Sequence, residues 1–288
     1  MAQSTMTKPA RDETLRLPDG RRLAWAEWGR PAGPSVLLLH TSPGSRLLDP
    51  DPAATDAAGV RLVTVDRPGF GGSDPVPDPT FAGFAADLAA LAAELDLRDV
   101  ALMGWSGGGQ YAVAAAGGAL RDRLRSLSLL AAPAPDEEVP WVAQPFRPWM
   151  DAVRRDPRGA LPGIAEALSG MAAQPEAVVQ MWKGPDEAPV VERPDVAEAL
   201  GAWLREAGRQ GGLGMATDVV AGSRADRLPV DAVRAPARLW FGDADGIGAE
   251  HGRWYAGRLA GSTLTVLPGG GHLFPVAHWG EILEAALR

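Results

Sequence analysis

Gly104-Trp105-Ser106-Gly107-Gly108-Gly109 is the segment best suited to chemistry. A serine flanked by glycines, after an apolar run and before an alanine-rich one, fits a sharp strand-to-helix turn that lifts its hydroxyl above a sheet edge. Glycines leave room for such a turn. A helix starting just behind the serine would turn N–H groups and positive dipole toward developing negative charge. The segment does not fit a dinucleotide loop, because Ser106 stands where Gly-x-Gly-x-x-Gly needs its second glycine. No Gly-x-x-x-x-Gly-Lys-Ser/Thr run occurs either.

A serine hydroxyl is a weak nucleophile and needs a base. There are four histidines, His40, His251, His272 and His278. His272 follows an apolar run at 263–267 and the loop Pro268-Gly-Gly-Gly271, which can carry an imidazole over the edge of a sheet. His251, between Glu250 and Arg253 in a helical pattern, is expected to be solvated. His278 leads into the last helix in a capping or surface role, and His40 is expected to order a loop through hydrogen bonds. An imidazole base needs an orienting acid. Phe241-Gly-Asp-Ala-Asp-Gly246 offers Asp243 and Asp245, with Asp245 preferred, and Asp136 is a third choice. Turn aspartates are common in such loops, so both stay open at this point. A tetrahedral intermediate also needs N–H donors. The Gly107 main chain could supply one, and Thr41 or Ser42 in the loop His40-Thr-Ser-Pro-Gly44 the other.

The elements that must position these residues are legible as alternating patterns. Short apolar runs at 15–17, 22–28, 35–39, 60–65, 100–103, 124–130, 237–241 and 263–267 read as strands. Helical spacing appears at 81–95, 109–120, 251–259 and 279–287. Strands alternating with helices predict an α/β fold, a mainly parallel central sheet flanked by helices. Ser106, Asp245 and His272 each fall just beyond the end of a predicted strand. From 134 to 226 the alternation breaks into proline-rich sequence with short helical pieces at 163–171 and 196–207. This segment holds 15 acidic and 9 basic residues, so most of the net charge of −8 lies in it. The expected organisation is a core of residues 1–133 and 227–288 with an inserted helical cap, or lid, at 134–226. The cap's Trp141, Trp149, Trp182 and Trp203, with Met150, Met171 and Met181, are candidates to line an apolar substrate pocket, as is Trp105 beside the serine.

Composition narrows the function classes. At 288 residues with 46% apolar content, the chain can bury a sizeable core. An acidic chain without a basic cluster is a poor partner for nucleic acid or an anionic membrane. With no cysteine, disulfides and thiolate chemistry are excluded. There is no apolar run of ~18 residues for a spanning helix, and the polar start lacks a signal-peptide core. The expectation is a cytoplasmic monomer or homodimer acting on a small-molecule substrate. No metal motif such as His-Glu-x-x-His occurs, and no cofactor is expected.

Taken together, His40-Thr-Ser-Pro-Gly44, Asp66-Arg-Pro-Gly-Phe-Gly-Gly-Ser73, Gly104-Trp-Ser-Gly-Gly108, Gly242-Asp-Ala-Asp245 and Gly271-His272 resemble, in order and spacing, the α/β-hydrolase-fold serine hydrolases. The resemblance runs from about Leu15 to Leu287. It implies Ser106 as nucleophile, Asp245 as acid, His272 as base and the 134–226 segment as the family's helical cap. The family usually has glycine directly after the loop histidine, where this chain has Thr41. A serine at the elbow argues against members that open epoxides or remove halide with an aspartate. The implied activity is hydrolysis of an acyl compound, a carboxylic ester foremost. The alternatives within the fold are thioesterase, lactonase, C–C hydrolase, lyase, perhydrolase and an amidase similar to proline iminopeptidases. Outside catalysis, the alternative is a ligand-binding protein.

Overall fold

Val36 and Leu38 pack on one face of a sheet, and Leu37 and Leu39 on the other. That is the alternation an extended chain imposes. Both faces being apolar means both must be covered, as the continuous apolar runs require. The computed structural model describes residues 8–181, 186–224 and 228–288. Its eight strands are β1 (Arg11–Arg16), β2 (Arg22–Gly29), β3 (Ser35–Leu39), β4 (Arg61–Val65), β5 (Val100–Trp105), β6 (Leu124–Leu130), β7 (Ala237–Gly242) and β8 (Thr263–Leu267). They form one sheet in the order β1-β2-β4-β3-β5-β6-β7-β8. β1 and β2 pair antiparallel, as do β2 and β4. From β4 onward every pairing is parallel. The expected α/β architecture with a mainly parallel sheet is therefore what the chain forms.

The helices among the described residues are α1 (Pro52–Ala58), α2 (Phe81–Glu94), α3 (Gly108–Gly117), α4 (Arg147–Arg155), α5 (Pro157–Ala172), α6 (Pro175–Met181), α7 (Ala188–Val191), α8 (Pro194–Ala207), α9 (Leu213–Ser223), α10 (Ala249–Ala256), α11 (Phe274–Ala277) and α12 (Trp279–Leu287). Phe84, Leu88 and Leu91 of α2, with Tyr111 and Val113 of α3 and Tyr255 of α10, cover the sheet face that carries Leu37 and Leu39. Trp279, Ile282 and Leu283 of α12 cover the face that carries Val36 and Leu38. Helix boundaries follow local chemistry. Thr80 caps α2 by accepting the Gly83 N–H, and Asp51 caps α1 by accepting from Ala53 and Ala54.

Helices α4 to α9 all lie between β6 and β7. They have an apolar cluster of their own, in which Val153, Leu161, Ile164, Leu168, Met215 and Val220 pack with Phe70 from the loop after β4. None of the described helices is long and apolar enough to cross a membrane.

Candidate active site

β5 is central, with β3 on one side and β6 on the other. Loops leaving the carboxyl ends of β3, β5, β7 and β8 therefore share one edge of the sheet, the edge at which open α/β sheets bind ligands. Ser106 follows β5 with φ of 54°, in the left-handed region. A non-glycine residue there costs of order 1 kcal/mol and persists only when its surroundings hold it. Here its N–H donates to Leu130 O at 2.8 Å, and its carbonyl accepts the Gly109 N–H at 2.8 Å. The neighbouring glycines are required by close approach. A Cβ on Gly104 would lie 2.6 Å from the Gly109 Cα, and one on Gly108 would run into the Leu39 and His40 carbonyl oxygens. The Ser106 residue remains partly exposed at the start of α3.

His272 lies in the loop after β8, and its Nδ1 is 2.7 Å from Asp245 Oδ2. Asp245 follows β7, the parallel neighbour of β8, and its other oxygen accepts the Ile247 N–H at 3.0 Å. The Asp245 side chain is 6% exposed and that of His272 22%. Burial pulls the His272 pKa down, but the hydrogen bond and charge of Asp245, together with the charge of Glu187, outweigh it and raise the pKa above that of free imidazole. The Trp105 indole N–H donates to the His272 carbonyl at 3.1 Å, tying the strand before Ser106 to the histidine loop.

The other acid candidates have different partners. Asp243 accepts the Gly269 N–H at 2.6 Å. Asp136 accepts the N–H groups of Trp141 and Val142 and the guanidinium of Arg147. His40 is buried, donating from Nδ1 to Thr41 O at 2.7 Å and accepting the Arg67 N–H at Nε2 at 3.3 Å. Its loop-ordering role is thus visible in its bonds, and burial together with the Arg67 charge holds its pKa well below the imidazole value. His251 is not solvated. It is 1% exposed and accepts the Ala134 N–H at 3.0 Å, because α10 turns it inward under the chain that leaves β6. His278 stands half-buried before α12 without capping it through its side chain.

Ser42 is exposed, and its main-chain nitrogen lies 3.7 Å from where a Gly107 Cβ would stand, so the Gly107 and Ser42 peptides are neighbours. Thr41 takes an ordinary backbone angle, and its hydroxyl donates to Pro43 O at 2.6 Å, which folds the side chain onto its own loop. Beside these residues opens a cavity of about 390 Å³. Trp141, Phe146, Trp149, Met150, Met171 and Met215 give it an apolar wall, and Ser42 and Gly107 lie at its rim. Trp105 is not on that wall. It is fully buried and stacks on Trp203, with ring centroids 6.1 Å apart, because a strand residue pointing opposite to its neighbours enters the core. Trp203 is equally buried, its indole donating to Ser45 O at 2.8 Å. Trp182 lies outside the described residues.

Two groups at this edge carry no signal in the sequence. Glu187, before α7, accepts the Leu273 N–H with both oxygens at 3.0 and 3.1 Å, directly after His272. Its carboxylate occupies the space a Gly271 side chain would need, and burial raises its pKa above the usual range. Asp218 of α9 takes two hydrogen bonds from the buried Arg67, at 3.0 and 2.6 Å. Among the described residues no group of three or more histidine, aspartate or glutamate side chains is placed to hold a metal ion.

Comparison with known proteins bears on the fold and the family. A non-heme chloroperoxidase of Kitasatospora aureofaciens is 40% identical over 117 residues, which cover 40% of this chain and 42% of that protein. The chain thus spans less than half the length of the relatives it matches in sequence. The bromoperoxidase structure from Bacillus anthracis superposes with a TM-score of 0.74 at 22% identity, covering 96% of this chain and 98% of that one. A thermophilic esterase from Thermogutta terrifontis superposes with a TM-score of 0.69 at 24% identity, with 96% of each chain covered. At these identities the likeness speaks for the fold. A family model matches residues 13–285, nearly the whole chain, and on that match the protein belongs to the alpha/beta hydrolase family.

Proposed function

We propose that this protein is a serine hydrolase that cleaves a neutral, largely apolar carboxylic ester through an acyl-enzyme. The observation that carries the reading is the 2.7 Å bond between His272 Nδ1 and Asp245, on the same sheet edge as a serine held in a left-handed turn. With Nδ1–H donated to Asp245, the other ring nitrogen is free to accept the Ser106 proton. Ser106 Oγ then attacks the ester carbonyl, and the oxyanion takes hydrogen bonds from the Gly107 and Ser42 main chains. His272 passes its proton to the leaving alkoxide. Water, activated by the same imidazole, attacks the acyl-enzyme, and collapse of the second tetrahedral adduct releases the acid and restores Ser106.

Substrate character follows from the cavity. Its two carboxylates, Asp136 and Asp218, are each neutralised by an arginine, Arg147 and Arg67. The remaining wall is mostly aromatic, aliphatic and thioether, with Ser42, Gln110 and Ser223 as uncharged polar members, so an uncharged group is favoured over an amine or an acid. In this reading the 134–226 segment is a cap that covers the site. The relatives' names support hydrolysis in one case and peroxide chemistry in others. Both are compatible with one acyl-enzyme, since hydrogen peroxide replacing water as acceptor would release a peracid and the same free serine.

The test is labelling with a fluorophosphonate, followed by turnover of a p-nitrophenyl ester series. Wild type is expected to label and to prefer neutral acyl chains, and Ser106→Ala and His272→Ala to do neither. Wild-type turnover in Ser106→Ala would overturn the mechanism.

A further inference from the structure

Arg67 is a fully buried guanidinium directly beneath the 40–44 loop. Its Nη1 donates to the His40 carbonyl, and its Nη2 donates to the Thr41 carbonyl at 2.9 Å. Nε and Nη2 also donate to the two oxygens of Asp218, at 3.0 and 2.6 Å. Asp218 belongs to α9, between β6 and β7, and accepts a further bond at 2.9 Å from the hydroxyl of Tyr111 in α3, the helix behind Ser106. The ring of Phe70 lies against the guanidinium, 5.2 Å from its carbon, and that of Tyr111 at 5.1 Å. One planar fork thus joins the loop after β3, the loop after β4, the nucleophile's helix and the helical insertion.

The consequence lies in peptide geometry. The His40–Thr41 and Thr41–Ser42 bonds are trans. In a trans peptide the N–H points opposite to the preceding C=O. Holding the Thr41 carbonyl on Arg67 therefore directs the Ser42 N–H away from the guanidinium, and Ser42 N lies 3.7 Å from where a Gly107 Cβ would stand, with Ser42 Cβ at 3.2 Å and Arg67 Nη2 at 3.9 Å from the same point. We propose that Arg67, locked by Asp218, is the positioning residue that aims the second oxyanion donor, so that the insertion contributes to transition-state binding through one main-chain N–H and does more than wall the cavity. This rests on the acyl-transfer reading above. It gives a reason for an arginine here, because a lysine ammonium cannot match two adjacent carbonyls and a carboxylate from one plane.

The test separates aiming from architecture. Arg67→Met/Asp218→Leu removes both charges together, which preserves folding better than removing one. Asp218→Asn keeps the shape and takes away one acceptor. Each is compared with wild type for kcat and KM on a neutral p-nitrophenyl ester. Each is also compared for affinity toward a trifluoromethyl ketone, whose adduct presents an oxyanion, and toward the matching unreactive methylene analogue. The double variant is expected to lose about 100-fold in kcat, the value of one oxyanion donor. Its ketone affinity should fall in parallel and by far more than KM or analogue binding, which register only the change in the cavity wall at Asp218. Asp218→Asn should lose about tenfold in the same pattern, and Arg67→Lys should not restore the rate. A kcat within about threefold of wild type in either folded variant overturns the proposal. So does an equal loss of affinity for ketone and analogue. Ser106→Ala, run alongside, reports on the underlying reading separately, since its retained turnover would remove the acyl-enzyme whatever Arg67 does.

Discussion

His272 carries two carboxylates in its surroundings, and they differ in kind. Asp245 bonds the ring, whereas Glu187 bonds the main chain one residue on and acts on the ring through its charge. Both favour the imidazolium, and they outweigh the burial that opposes it. In the proposed mechanism His272 must be neutral to accept the Ser106 proton, so activity is lost as pH falls through a pKa above the ordinary imidazole value. Replacing Glu187 with Gln keeps an acceptor for the Leu273 N–H and removes the charge. The acid limb of kcat/KM is expected to move to lower pH in that variant, with the plateau rate within a few fold. A pH profile of wild type and Glu187→Gln checks this, and an unmoved limb would mean that Glu187 only latches the loop. At this scale the sequence carries what local spacing can carry. Ser106 stands out through its glycines, and His272 through the glycine run before it. Glu187 and Asp218 sit in irregular, proline-rich or glycine-rich stretches, where nothing local distinguishes an inward carboxylate from a solvated one. His251 misleads for the same reason. Its charged neighbours Glu250 and Arg253 suggest solvent, but in a helix adjacent residues face different ways.

Among the elements, the strands are the most legible in sequence, because burial on both faces demands unbroken apolar runs and Leu37, Leu39, Val36 and Leu38 satisfy both sides at once. The helices of the insertion are less legible. A proline inside a helix usually ends it, which is why the pattern in this region reads as starting at 163, after Pro162. α5 starts at Pro157 instead, since Asp156 caps it by accepting the Gly159 N–H and Pro157 takes the first position, where its missing N–H costs nothing. Pro162, in the second turn, forfeits the bond to the Arg158 carbonyl, and the helix continues past it. α9 has three glycines in or beside it, Gly212, Gly214 and Gly222, and no strong periodicity; it forms because it packs on α5 and α4. The turn from β5 into α3 is the element on which the proposed chemistry depends most. Gly108 lies so close to the Leu39 and His40 carbonyl oxygens that even a methyl group would push the 40–44 loop and α3 apart. Gly108→Ala is therefore expected to cut kcat more than tenfold, because a misplacement of about 1 Å can cost roughly 100-fold. Its Tm should fall by no more than a typical surface-to-core strain of about 1–3 kcal/mol would give. Ester turnover and thermal melts of the same sample separate the two effects, and an unchanged kcat would show that the loop can yield without losing its donors.

For the whole molecule, the question is what keeps the insertion registered on the sheet. Apolar contact contributes through Phe70 and through the Trp105–Trp203 stack. A second tie is ionic. The Arg46 side chain, 8% exposed, donates to Asp12 in β1 at 2.7 Å, to Asp66 after β4 at 2.6 Å and to Glu206 in α8 at 2.6 Å. These partners are not equivalent. Asp12 is 43% exposed, so its pair is worth little. Asp66 is fully buried; burial pushes its pKa up to about 6, with Arg46 pulling in the opposite direction. Arg46→Met leaves that carboxylate without its cation, a change that costs about 3–5 kcal/mol for a buried pair. The pH dependence has a definite sign. Asp66 already binds a proton more tightly when folded than when unfolded, so it lowers stability as pH rises from the ordinary carboxylate range to about 6. Without Arg46 its folded pKa must rise further, and the loss of stability then continues above pH 6, where the wild type has levelled off. The Tm deficit of Arg46→Met is thus expected to be smaller at pH 5.5 than at pH 8, whereas Asp12→Asn should shift Tm by no more than about 2 °C at either. If the deficit were the same at both pH values, Asp66 would not be the group that Arg46 holds ionised, and Arg46 would act on the insertion through Glu206 alone.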